Sequence, residues 1–447
     1  MVEVLIEKGL DLALEGAPSG GIKELKPSKI LALDLSAFEE KRLHLLFKEG
    51  DYVQKGQAIV CDKTFEKRSW ASPAAGTIVG IIRGQKRRIL SILIERSERE
   101  ESWSFSPASS SSEEIMDSLL QSGLFNYIRQ RPFDMLADPQ KIPECIFVKA
   151  LESAPFVPSS ELQLEGDLDS FEQGLSILSK IAKVHLVVRS GSFLKDFKRG
   201  ALDIERHSFA GPHPVANPSV HIEHIHPIKN RKNIIWTINA YDVLRIGYFF
   251  KTKTLLCERV IGLGGAGVLP EARAFYKVRD GQSIEEILQN RSVKDKNLCY
   301  ISGDVLSGRR SSLNAYLGYY DFVLSVLQEE KEREIFSFAR LGLKKITASR
   351  TYISSFFPKM QGFLKNNLKH GEERAFIDSQ IYQRVMPLPI RVHALLKAII
   401  MKDFEKAEQL GLLEVAREDF ALPSYVCPSK IEMLKIVERA LKECEHA

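Results

Sequence analysis

The 447-residue chain has little of what usually announces a chemistry. Its six cysteines, Cys61, Cys145, Cys257, Cys299, Cys427 and Cys444, are scattered, and no CxxC occurs. That spacing argues against a zinc ribbon, a ferredoxin-type cluster and a disulfide scaffold. No run of about 18 uncharged apolar residues is present, the length needed to cross a bilayer as a helix. The nearest approach, IIWTINAYDVLRIGYFF, is broken by Asp242 and Arg245. The opening MVEVLIEKGLDL lacks an apolar core, so no secretory signal is expected. Charge of one sign is scarce: 63 Lys and Arg against 58 Asp and Glu leave +5, too mild and too spread out for a dedicated nucleic-acid binder. G-x-S-x-G, H-E-x-x-H and the P-loop are all missing. What remains is an ordinary composition, 44% hydrophobic and 27% charged, in a chain long enough for roughly two to four domains. The plain expectation is a cytoplasmic multidomain α/β protein.

Punctuation by Gly, Pro and Ser divides the chain. Residues 1–103 hold an N-terminal segment and then short Val/Ile/Leu runs separated by turn residues, as in a small β-barrel or sandwich. Within them, GDYVQKGQAIV and SPAAGTIV place Gly50 and Gly56 at turns and Val53, Ile59 and Val60 in a small core. This pattern resembles the biotinyl/lipoyl type of barrel-sandwich hybrid. A carrier needs a lysine at its hairpin tip. Here the tip is expected near Phe65-Glu66, and neither Lys63 nor Lys67 stands in an MKM-like setting, so a structural copy of the barrel is expected.

The Ser-rich stretch 104–112 reads as a linker. Residues 113–256 alternate helix and strand, which predicts a Rossmann-like α/β domain. Its first helix is expected to start with Ser112 as N-cap and to end at Gly123. A second helix is expected to bury Phe171, Leu175, Leu178 and Ala182. Residues 207–228 carry four prolines and five histidines, and an irregular loop is expected there. Residues 257–312 read as a β-grasp module in which Ser283 caps a short helix and Glu286 reaches back to it. Residues 313–447 read as mostly helical, ending in a helix from Ser429 with Ile431, Leu434, Val437 and Leu441 in one stripe.

Two motifs need weighing. GLGGAG at 262–267 fits G-x-G-x-x-G, but Pro270 follows and EARAFYKV reads as strand; the nearest acid, Asp280, belongs to an Asp-Gly turn. A dinucleotide fingerprint must open a helix, so a glycine-rich hairpin turn is expected instead. His221, His224 and His226 form H-x-x-H-x-H among prolines, with His207 and His213 upstream. Without a rigid element or a fixed ligand spacing, no metal site is expected there.

Taken together, KGLDLALEGAP (8–18), LLQSGLFNYIRQRPFD (119–134), FVKALESAPFVP (147–158), FAGPHP (209–214), WTINAYDVLRIG (236–247), RVIGLGGAGV (259–268) and SYVCPSK (424–430) resemble one family, the A subunits of the sodium-translocating NADH:quinone reductases. The likeness is co-linear over nearly the whole chain. It implies a peripheral subunit on the cytoplasmic face of the bacterial inner membrane, in a six-subunit complex that passes electrons from NADH to ubiquinone and exports sodium. It also implies similarity in architecture to the C subunit of the Rnf complex and to the flavin-bearing subunit of respiratory complex I, with an SLBB-like module at 257–312. Those relatives hold flavin with a glycine-rich loop where this chain has Arg129-Gln130-Arg131-Pro132-Phe133. They hold an iron–sulfur cluster where this chain has only Cys427 and Cys444. The implied role is therefore a subunit with no cofactor of its own, the NADH, flavin and cluster sites lying in its partner subunits. Ubiquinone is the expected ligand, with Phe209, Gly211, His213 and His226 as the residues to contact it. The alternatives are a purely structural scaffold, or a flavin- or NADH-dependent oxidoreductase like the architectural relatives.

Overall fold

The computed structural model describes residues 2–195, 204–295, 297–329, 375–376 and 380–445. Four sheets organise them. The first two face each other as a sandwich. One runs in the order Ile30–Asp34, Ile89–Arg96, Gly76–Arg83 and Tyr52–Val53; the other in the order Leu43–Leu45, Ala58–Asp62 and Phe65–Ala71. Val53, Ile59 and Val60 are fully buried between them with Trp70, as the alternation of apolar residues predicts. The hairpin tip is Lys63-Thr64, two residues earlier than expected, because Asp62 accepts from both the amide and the hydroxyl of Thr64 and closes the turn. Lys67 is paired with Asp117 at 2.7 Å.

The third sheet has seven strands in the order Glu3–Leu5, Ile204–Ala210, Lys183–Arg189, Cys145–Ala150, Ile235–Asn239, Arg129–Arg131 and Met135–Leu136. The first five are parallel and the last two antiparallel. Period-two alternation sends Ile146, Val148, Leu186 and Trp236 to one face, where the helices Leu168–Ser179 and Ala240–Thr252 cover them. It sends Phe147, Val187, Phe209 and Ile235 to the other face, covered by the C-terminal helices. Phe171, Leu175 and Leu178 are buried as expected, while Ala182 lies beyond the helix end and is only partly buried. The helix Ser112–Ser122 is capped by Ser111, one residue before the expected cap, through a 3.2 Å bond from the Glu114 amide; it ends at Gly123 with φ +80° as expected.

The fourth sheet runs Arg309–Ser311, Leu298–Ser302, Val323–Gln328, Glu258–Gly264, Ala274–Arg279, Ile22–Glu24. Two of its strands come from outside the expected range: Ile22–Glu24 from the N-terminal segment and Val323–Gln328 from the stretch expected to be helical. Both are edge or crossing partners supplied by distant sequence, which local periodicity does not reveal. Ser283 caps the helix Ile284–Leu288 as expected, but its own amide donates to the Ser28 hydroxyl, so the reciprocal bond from Glu286 is replaced by one from another part of the chain.

Residues 207–228 are more regular than expected. They contain the end of the strand Ile204–Ala210 and a helix, Pro218–Ile225. Proline at the first helical position starts a helix because its missing N–H would be unbonded there anyway. Most of 313–447 between the last strand and residue 380 falls outside the described residues. Beyond it lie helices Val392–Ile400, Phe404–Gln409 and Met433–Glu445. The last begins four residues later than expected, and its buried stripe is Met433, Val437, Ala440, Leu441 and Cys444. Among the described residues no helix is long and apolar enough to cross a membrane.

Candidate functional site

All five parallel strands end on the same side of the sheet. In open α/β sheets ligands settle outside those carboxyl ends, where neighbouring connections diverge. Here the connections leave after Ala150, Arg189, Ala210 and Asn239. The turn after Ala210 is FAGPHP. Gly211 has φ +136°, and a Cβ on it would lie 2.2 Å from the Ile6 carbonyl oxygen, so only glycine lets the N-terminal segment pass this closely. His213 is buried. Its Nδ1 lies 3.0 Å from the Ser153 hydroxyl, and its amide donates to Asp11 at 2.8 Å. Burial holds its imidazole below the usual pKa. Phe209 is fully buried, packed against His221 with ring centroids 4.9 Å apart.

Of the four expected quinone contacts, then, Phe209, Gly211 and His213 share one turn, with Phe209 and His213 buried and Gly211 partly exposed, and His226 does not join them. It sits past the end of the helix Pro218–Ile225, 2.9 Å from Glu144. The histidines of H-x-x-H-x-H diverge. His221 Nε2 donates to the Val215 carbonyl, His224 Nδ1 to the Val220 carbonyl, and His226 turns to Glu144.

Residues 129–133 contain no glycine, and Gln130 and Arg131 bury their side chains. Arg129–Arg131 pairs with Ile235–Asn239, and Arg131 is buried. Its Nε lies 3.7 Å from Asp134, and Asp419 lies near enough to feel its charge. Glu418 sits in the same acidic pocket, and burial beside Asp419 and Asp134 pushes its carboxyl up to about 7. Asp419 accepts from Asn217 at 2.8 Å and from the Ala416 amide at 2.8 Å.

The glycines of GLGGAG answer to the protein's own backbone. A Cβ on Gly262 would stand 1.9 Å from the Phe156 carbonyl oxygen; one on Gly264 would meet the Gly16 carbonyl and the Phe156 ring at 2.8 and 2.9 Å. Gly262 and Gly264 lie inside the strand Glu258–Gly264, and the chain turns only at Gly265, with φ +113°. The hairpin expectation therefore holds for the second half of the motif, while the first half is close packing. Asp280, in its Asp-Gly turn, accepts from Arg245 at 2.8 Å with both oxygens and from Arg259 at 2.7 Å. The two guanidiniums hold it below the usual carboxylate range against a burial cost that would raise it. Sequence reasoning missed this node, although Arg245 interrupting an apolar run was its signal: a charge there must be paired. Ser153 carried no signal at all.

The same architecture is found in known proteins. Residues 4–97 match the family model described as NqrA N-terminal barrel-sandwich hybrid domain, and residues 110–255 that of the NqrA second alpha/beta domain. The barrel-sandwich and the α/β domain thus define the class. Among curated relatives, the A subunit of the Na(+)-translocating NADH-quinone reductase of Chlamydia caviae is 36% identical over 99% of this chain and 97% of its own length. The same protein of Chlamydia pneumoniae is 35% identical over 99% and 97%, and that of Marinomonas sp. 34% over 98% of each. The chain belongs to the family of the A subunits of the Na(+)-translocating NADH-quinone reductases.

Proposed function

We propose that the chain works as the A subunit of a sodium-translocating NADH-quinone reductase, docked peripherally on the cytoplasmic face of the membrane subunits and holding no redox group of its own. What carries this reading is that long side chains fill the stretch where the resemblance puts a flavin-holding glycine loop, Arg131 being buried there. The G-x-G-x-x-G stretch supports it too, since Phe156 packs against Gly262 and Gly264. The six cysteines support it as well: all are buried, and none belongs to a cluster of three or more metal-ligating groups among the described residues. The strand order supports the Rossmann-like reading of the α/β domain, since the four strands Cys145–Ala150, Lys183–Arg189, Ile204–Ala210 and Ile235–Asn239 lie in the spatial order third, second, first, fourth. The sheet around Glu258–Gly264 with its short helix supports an SLBB-like β-grasp.

Affinity purification of the tagged chain from solubilised membranes tests the proposal. The expected result is co-elution with membrane-embedded partner subunits, and a colourless chain once it is stripped from them. A chain that elutes alone, carries stoichiometric flavin and oxidises NADH overturns it.

A second reading, that the chain contributes to a quinone site, is favoured by one observation. The His213–Ser153 pair lies beside the strand ends, an imidazole and a hydroxyl suited to a quinone carbonyl. Saturable binding of a water-soluble ubiquinone analogue, lost in His213→Ala and kept in His226→Ala, supports it. No binding by the isolated chain leaves the scaffold role alone.

A further inference from the structure

At the opposite end of the same sheet, three ligand-type side chains converge that neither the FAGPHP turn nor the proposed role in the complex uses. His185 and Glu205 are direct cross-strand neighbours on Lys183–Arg189 and Ile204–Ala210, and His207 follows Glu205 by two residues, on the same face. His185 Nδ1 is 3.1 Å from His207 Nε2. Glu205 Oε2 is 3.4 Å from His185 Nδ1 and 3.8 Å from His207 Nε2. Two bonds of about 2.1 Å at the tetrahedral angle separate their ligand atoms by about 3.4 Å, and the three observed separations straddle that value. No other group of three such side chains converges among the described residues.

We propose that His185, His207 and Glu205 form a binding site for a zinc-type divalent transition metal, with a fourth position open to water. Two imidazoles and one carboxylate suit Zn²⁺ or Co²⁺ and disfavour Mg²⁺ and Ca²⁺, which take oxygen ligands. The surroundings fit such a site. Phe147 stacks on His185 with centroids 4.9 Å apart and fixes its ring plane. Lys183 holds the other carboxylate oxygen, Oε1, at 2.6 Å, which orients Glu205 and leaves Oε2 for the metal. The histidines are buried while Glu205 is 42% exposed, so an ion enters past the carboxylate.

One contact sets a cost. The Val2 amide donates to His207 Nδ1 at 3.3 Å, so without metal the proton of a neutral His207 is on Nε2, pointing at His185. Ligation through Nε2 moves that proton to Nδ1 and breaks the Val2 bond. The neighbouring bond from the Ser208 amide to the Val2 carbonyl, 3.0 Å, is untouched and keeps the strand in place.

The test is a titration of the purified, chelator-treated full chain with Co²⁺ alone. The expected result is one equivalent bound, visible d–d bands of four-coordinate strength, and their loss on adding Zn²⁺. Glu205→Gln, at a half-exposed position that does not threaten folding, and His185→Ala each weaken Co²⁺ binding about tenfold or more; His44→Ala, exposed on the barrel strand Leu43–Leu45, leaves it unchanged. Absence of the bands at micromolar Co²⁺, or bands that survive in a folded Glu205→Gln or His185→Ala chain, overturns the proposal.

Discussion

A buried histidine and a partly buried glutamate give opposite pH dependences. His221 is fully buried, with its Nε2 bonded to Val215 and its Nδ1 without a partner, and burial lowers its pKa from 6.5 to about 3. The unfolded chain therefore binds a proton that the folded chain refuses. Its contribution is present above pH 6.5 and is lost as pH falls toward 3, by about 1.4 kcal/mol per pH unit. Glu418 runs the other way. Raised from 4.5 to about 7, its contribution is present below 4.5 and lost as pH rises to 7. Urea denaturation across this range should show His221→Leu closing its stability gap to the parent as the solution is acidified. Glu418→Gln should gain on the parent as the solution is made neutral. Parallel curves for both variants would mean that neither group is buried as described.

At the scale of elements, the α/β domain depends on one crossing. The helices Leu168–Ser179 and Ala240–Thr252 meet at two glycines. A Cβ on Gly174 would lie 2.0 Å from the Val243 carbonyl oxygen, and one on Gly247 would lie 1.7 Å from that of Ser170. Both obstacles are backbone, so neither can swing aside. Gly174→Ala and Gly247→Ala should each cost at least ~1–3 kcal/mol by overpacking, read as a lower urea midpoint. Because they act on the same crossing, the double variant should cost less than the two single costs added. The glycines of GLGGAG obey the same logic. A glycine pattern in a sequence reports that something comes close, and here the close partner is the protein's own Phe156 and Val326.

Across the whole molecule, distant sequence ties the layers together. The N-terminal segment contributes Glu3–Leu5 to the parallel sheet and Ile22–Glu24 to the sheet around Glu258–Gly264. The Asp280 carboxylate joins Arg245, from the helix beneath the parallel sheet, to Arg259 on the strand Glu258–Gly264 of the next sheet. Asp280→Ala would leave two buried guanidiniums without their carboxylate, a loss of about 3–5 kcal/mol. It should also let the two layers part at the connecting segment 253–257. Limited proteolysis should then cut that segment in the variant at protease levels the parent survives; equal resistance would show that the node is dispensable.

How much of this can be read from residues alone follows from the range of the forces involved. The barrel core of Val53, Ile59 and Val60, the helix ending at Gly123, the buried face of Phe171, Leu175 and Leu178, and the family itself are legible, because alternation, caps and motif order are local. The helix Pro218–Ile225 is hidden because proline reads as a breaker, and here one proline is a starter. Other features depend on partners tens to hundreds of residues away: the inward burial of Phe209, the parting of His226 from His213, the meeting of His185 with Glu205 and His207, and the capture of Val323–Gln328 by a sheet begun at Glu258. Period and composition determined the short barrel strands, the helix ending at Gly123 and the buried face of the helix Leu168–Ser179. Only the packing of those elements decided which side chains share a space, because strand order and the covering of each sheet face bring together residues that no local pattern links.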